Sequence, residues 1–92
     1  MTTLTERLKH DVDDWFYNYF MLDNFDDVDE LIDGLYKAVQ LQRASSILHD
    51  CFDSMICEYK WDSDVIGKNY EAIEDIVYDN AVWKLGRYGI KA

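Results

Sequence analysis

The apolar positions of this chain recur with the period of an α-helix. Leu4, Leu8, Val12, Trp15, Tyr19 and Leu22 fall at steps of three and four. Thr3-Leu-Thr-Glu6, just ahead of them, has the form of a capping box. The pattern predicts a first helix that ends near Leu22, where Asp23-Asn24 supplies turn chemistry. Phe16 flanks the stripe, and Glu6, His10, Asp13, Asp14 and Tyr17 fall on the other side.

A second helix is predicted to open at Asp26 or Asp27, where Asp27-Val-Asp-Glu30 places an acid at the cap and more in the first turn. Val28, Leu31, Ile32, Leu35 and Val39 form its apolar stripe, with Asp26, Asp29, Glu30 and Asp33 close to the opposite side. Gly34 weakens this helix by up to about 1 kcal/mol relative to Ala without breaking it. Gln40 to Ser46 holds no strong breaker. Either Ser45 or Ser46 caps a third helix, or the second and third run together.

Leu48, Cys51, Phe52, Met55, Ile56 and Tyr59 give the third helix its apolar face, opposite Asp50 and Asp53. It should end by Trp61, and Asp62 to Lys68 reads as a loop. A fourth helix starts near Asn69. Tyr70, Ile73, Ile76, Val77 and Asn80 are expected to face inward, and Glu71, Asp75 and Asp79 to form an outward acidic line. Gly86 suits the position just past its end. The last six residues, from Arg87, make a basic tail that either docks or frays.

Composition turns these elements into an architecture. The 92 residues, 49% hydrophobic and without proline, suffice for one domain over 1–92. The expected fold is mostly α: a compact bundle of three or four helices with acidic outer faces. A short strand or hairpin near Ile66 or Tyr88 is the open alternative. The start lacks the basic and apolar regions of a signal peptide, and no stretch approaches a membrane span, so a cytoplasmic protein is expected. Cys51 and Cys57 read as reduced thiols, Cys51 in the core and Cys57 nearer the surface.

Charge changes the picture most. The net charge is −10, and residues 11–36 alone contribute −9, with nine acids and no Lys or Arg. Most acids lack a basic partner three or four positions away. Such crowding destabilises the folded state, and a sequence shaped for stability alone would interleave the signs. Direct nucleic-acid binding and anionic membranes are disfavoured, and basic partner surfaces are favoured. Carboxylates three or four apart on a helix are about 4.5–6 Å apart along its axis, and two such lines approximate two phosphate tracks. The bland alternative is a solvated acidic surface that keeps the protein soluble.

Other chemistries fit poorly. Asp62-x-Asp64-x-Ile66-Gly67 imitates the start of an EF-hand loop, but Ile66 and Ile73 occupy positions that need oxygen ligands. His10 and His49 have no metal-binding partner at helical spacing. No nucleophile or phosphate-loop motif occurs, so neither an enzyme nor a cofactor is expected. One helical face cannot bury all five rings between Trp15 and Phe20, which makes Tyr17 and Phe20 candidates for a homodimer contact. The same rings support a competing function, a helical adaptor that docks through aromatic surface while its acids serve solubility.

The opening run from Met1 to Phe16 and the acidic segment Asp23 to Glu30 resemble the anti-restriction nuclease (Arn) family of T-even bacteriophages across the whole chain. The resemblance implies a DNA mimic that occupies the DNA-binding site of a basic host protein. The resemblance names a restriction endonuclease acting on modified-cytosine DNA as the target class; a histone-like nucleoid protein or a transcription factor would present the same basic cleft. The resemblance supplies no catalytic residues. The candidate phosphate mimics are Asp13, Asp14, Asp23, Asp26, Asp27, Asp29, Glu30, Asp33, Glu71, Asp75 and Asp79.

Overall fold

The protein is described by a computed structural model that covers residues 3–40 and 45–90. Among the described residues five α-helices follow in order: α1 (Leu4–Tyr19), α2 (Val28–Val39), α3 (Ser45–Cys57), α4 (Ser63–Lys68) and α5 (Tyr70–Arg87). The expected helical bundle is present, with one more helix than the sequence pattern suggested. No strand occurs among the described residues: Ile66 lies in α4, and Tyr88 closes α5.

Capping residues set most boundaries. Thr3 Oγ1 accepts from the Glu6 N–H at 3.1 Å and starts α1. The helix stops at Tyr19, three residues before the apolar stripe does, and a 3₁₀ turn follows at Leu22–Asn24. Two side chains hold this end. Asn24 Nδ2 donates to the Asn18 and Tyr19 carbonyls at 2.7 and 3.3 Å, and Lys84 Nζ donates to the Phe20 carbonyl at 2.8 Å. These carbonyls would otherwise lack partners at the helix end.

Asp27 caps α2 by accepting from the Glu30 N–H at 2.8 Å, while the Glu30 carboxylate accepts from the Asp26 N–H at 2.9 Å. Gln40 leaves helical geometry, with φ −84° and ψ 72°, so α2 and α3 are separate helices. Ser45 and Ser46, the two expected caps of α3, lie within its first turn instead.

The segment Asp62–Lys68 is not a loop. Asp62 accepts from the Asp64 N–H at 2.8 Å and caps α4, whose buried Ile66 pins it to the core. Asp and Ser favour turns and helix starts for the same reason, their short side chains bond nearby N–H groups, and this misleads the pattern. The end of α5 also shifts. Gly86 lies within the helix, Tyr88 caps it, and Gly89 carries the left-handed φ of +76°. The Ile90 N–H then returns to the Leu85 carbonyl at 3.0 Å.

Helix α5 packs against both α1 and α2, and α3 packs mainly against α1. The core joins Leu8, Val12, Trp15 and Phe16 to Leu31 and Leu35, Leu48 and Met55, and Ile73, Val77 and Leu85. Phe20 is completely buried and stacks near Phe16 and Phe25, with ring centroids 4.6 and 5.9 Å away. It is therefore unavailable for the expected subunit contact, whereas Tyr17 is 66% exposed. Because the helix ends at Tyr19, the chain bends at Phe20 and turns that ring inward.

Gly34 explains how α2 accommodates these rings. A Cβ there would lie 3.3 Å from Phe20 Cε1 and 3.4 Å from Phe25 Cε1. Gly34→Ala should therefore fail to deliver the gain of about 1 kcal/mol that helix propensity alone promises. Gly34→Leu should cost about 1–3 kcal/mol through overpacking. Urea denaturation checks both, and a full propensity gain for the alanine variant would refute the close approach.

Candidate functional site

The carboxylates divide into two groups. Asp11, Asp13 and Asp14 on α1 are turned toward other elements. Asp11 accepts from Trp61 Nε1 at 2.7 Å, and Asp14 accepts from the Tyr59 hydroxyl at 2.6 Å. Asp13 accepts from Asn80 Nδ2 at 2.7 Å and pairs with Lys9 Nζ at 2.6 Å. On α3, Asp50 accepts from the Tyr19 hydroxyl at 3.2 Å. These bonds tie α1 to α5, to α3 and to the connection between α3 and α4. Asp13 and Asp14, candidate phosphate mimics by sequence, thus have structural partners.

Most of these donors are neutral: an indole, two phenols and a carboxamide. A neutral donor satisfies a carboxylate oxygen without cancelling its charge. Burial first, and then the Asp14 hydrogen bond and nearby acids, push the Tyr59 phenol well above its ordinary value. Burial and then Asp50 raise the Tyr19 phenol as well. Both phenols therefore stay protonated, and able to donate, across the neutral range. Arg7 lies over the Trp61 ring at 5.4 Å, adding a cation to this junction without contacting the acids of the tie.

The second group is displayed. Asp23, Asp26, Asp27, Asp29, Glu30, Asp33, Glu71, Asp75 and Asp79 are all exposed. Asp27 and Glu30 also cap α2, and Asp33 pairs with Lys37 at 3.2 Å. The side chains of Asp23, Asp26, Asp29, Glu71, Asp75 and Asp79 make no hydrogen bond or ion pair among the described residues. Asp29 and Asp33 stand opposite the buried Leu31, Leu35 and Ala38 of α2. Asp75 and Asp79 stand opposite the buried Ile73, Val77, Ala81 and Leu85 of α5. Members four apart within each line are separated by about 6 Å along the axis. Two mutually packed helices therefore each carry an outward acidic line. Asp53, 62% exposed and 3.2 Å from His49, adds acid on α3 that the candidate set did not include.

Sequence reasoning missed a cluster of opposite sign. Tyr17 of α1 and Trp83, Lys84, Arg87 and Tyr88 at the end of α5 line an open groove of about 510 Å³. The buried series at 73, 77, 81 and 85 leaves position 83 pointing outward, so an exposed Trp was legible there.

Among the described residues, no group of three or more His, Cys, Asp and Glu side chains is placed to hold a metal ion. No described helix is long and apolar enough to cross a membrane.

The two acid groups should respond differently to substitution. Asp11→Ala leaves the partly buried Trp61 indole N–H without its partner and should cost about 1–2 kcal/mol. Asp29→Asn and Asp75→Asn should change stability by no more than about 0.5 kcal/mol, toward greater stability through relief of repulsion. Chemical denaturation separates these outcomes, and equal losses at all three sites would refute the division. Burial pushes the Cys51 thiol up to about 12, whereas Cys57 is exposed. A thiol reagent should label Cys57 alone in the native protein and reach Cys51 only on unfolding, as mass spectrometry of the labelled peptides would show.

Compared with protein families, curated proteins and solved structures, the chain finds no match, and the site stands on its own geometry.

Proposed function

We propose that the protein is a DNA-mimic inhibitor, displaying carboxylates where duplex DNA displays phosphates and occupying the DNA-binding site of a basic host protein. The observation that carries this reading is the pair of exposed acidic lines on the adjacent helices α2 and α5, largely unpaired among the described residues. Repulsion within these lines opposes folding and serves no packing role. A cleft lined with Lys and Arg would relieve it, exchanging its small bound anions for charge-assisted contacts. The dimensions support the same reading: the molecule is 36 Å long, close to the roughly 34–36 Å of one duplex turn.

The resemblance to anti-restriction nuclease proteins of T-even phages gives the proposal its setting. The inhibitor acts in the bacterial cytoplasm during infection and counteracts host restriction. Its target is a restriction endonuclease for modified-cytosine DNA or a histone-like nucleoid protein. The chain performs no chemistry in this role and needs no cofactor.

The test is displacement of a fluorescent duplex from each of these two host proteins. The native chain should release the duplex, and less effectively as salt rises. A variant carrying Asp26→Asn, Asp29→Asn, Asp33→Asn, Glu71→Gln, Asp75→Asn and Asp79→Asn should keep its helical circular dichroism. Its competition should weaken by at least about tenfold, since close charge pairs across interfaces contribute roughly 1.5–7 kcal/mol each. Undiminished competition by the folded variant would end the proposal.

A further inference from the structure

The groove at the end of α5 has the opposite character from the outward acidic lines of α2 and α5. Three rings stand open to solvent there: Tyr17 at 66%, Trp83 at 63% and Tyr88 at 40%. Arg87 lies over the Trp83 ring, 5.3 Å from its centroid. Stacking of this kind holds the guanidinium plane and leaves its N–H edge available for a carboxylate. Beside it, Lys84 is half-buried, with Nζ on the Phe20 carbonyl at 2.8 Å.

Neither cation belongs to an ion pair among the described residues. Burial, and then the charge of Arg87, pull the Lys84 pKa below its ordinary value. The chain has 19 acids and nine bases, yet it sets two bases side by side to repel each other. An incoming carboxylate would relieve that repulsion.

We propose that this groove is a docking site for an acidic peptide segment of another protein, carrying an aromatic or aliphatic anchor residue. The anchor seats among Tyr17, Trp83 and Tyr88, and flanking carboxylates meet Arg87 and Lys84. Trp, Tyr and Arg are the residues that dominate binding energy at protein interfaces. Two cations make no track for a phosphate backbone, whereas they suffice for the one or two carboxylates that flank a peptide anchor. The groove is open, unlike the enclosing pockets that hold small molecules. This site is separate from the acidic lines and does not depend on the DNA-mimic reading.

Fluorescence anisotropy of the full chain with a short fluorescein-labelled peptide of alternating Glu, Leu and Phe tests the proposal. Saturable binding is expected with a Kd on the order of 100 μM, typical of a small contact. Replacing every Glu of the peptide by Gln should weaken binding at least about fivefold, as should Tyr17→Ala or Arg87→Glu in the protein. Both protein positions are exposed, and circular dichroism confirms that the variants fold. Absence of saturable binding, or equal affinity in both folded variants, overturns the proposal. So does displacement of the peptide by a mononucleotide or an oligothymidylate, or self-association of the chain that closes the groove, as seen by sedimentation.

Discussion

Mutual repulsion among carboxylates is the constraint that the rest of the structure answers. Nineteen acids share a molecule measuring 36 × 25 × 22 Å. Pairing each with Lys or Arg would remove the repulsion and the field together. The chain mostly does otherwise. Trp61, Tyr59, Tyr19 and Asn80 hold carboxylates through neutral donors, so geometry is fixed while the charge persists. Only Asp13 and Asp33 are paired with lysines among the described residues. The acidic character therefore follows from how the acids are satisfied as much as from their number.

The aromatic segment of α1 supplies the compensating attraction. Trp15, Phe16 and Phe20 are buried, and Tyr19 packs with them while lending its hydroxyl to Asp50. Each such ring removes a large apolar area from water. The early end of α1 makes this possible, because it lets Phe20 turn away from the helix axis toward Gly34 and Phe25. Lys84 then reaches the carbonyl that the bend leaves unpartnered. A single local event, the loss of one helical turn, thus couples α1, α2 and α5.

Much of this was legible in the order of residues. The stripes of α1, α2, α3 and α5 follow the helical period closely enough to name most core positions, and the caps at Thr3 and Asp27 announce themselves. The outward acids of α2 and α5 follow from the same arithmetic. Three features were not legible, for identifiable reasons. Asp62 and Ser63 have turn chemistry that serves equally to start a helix, so α4 was hidden. Phe20 continues the aromatic run but depends on where α1 stops, which Asn24 and Lys84 decide from elsewhere in the chain. The pairing of Asp11 with Trp61 and of Asp14 with Tyr59 spans about half the chain, and no periodicity reports contacts at that separation.

The division between tied and displayed carboxylates bears on how such a surface can change over generations. An acid that holds no neighbour can move along its helix face, or exchange Asp for Glu, without disturbing packing. The summed field would survive while the letters drift. Asp11, Asp13 and Asp14 of α1 have no such freedom, because each meets a particular indole, amide or phenol. Lineages descending from this fold would keep α1 and its distant donors recognisable, while the outward faces of α2 and α5 retained little beyond their sign.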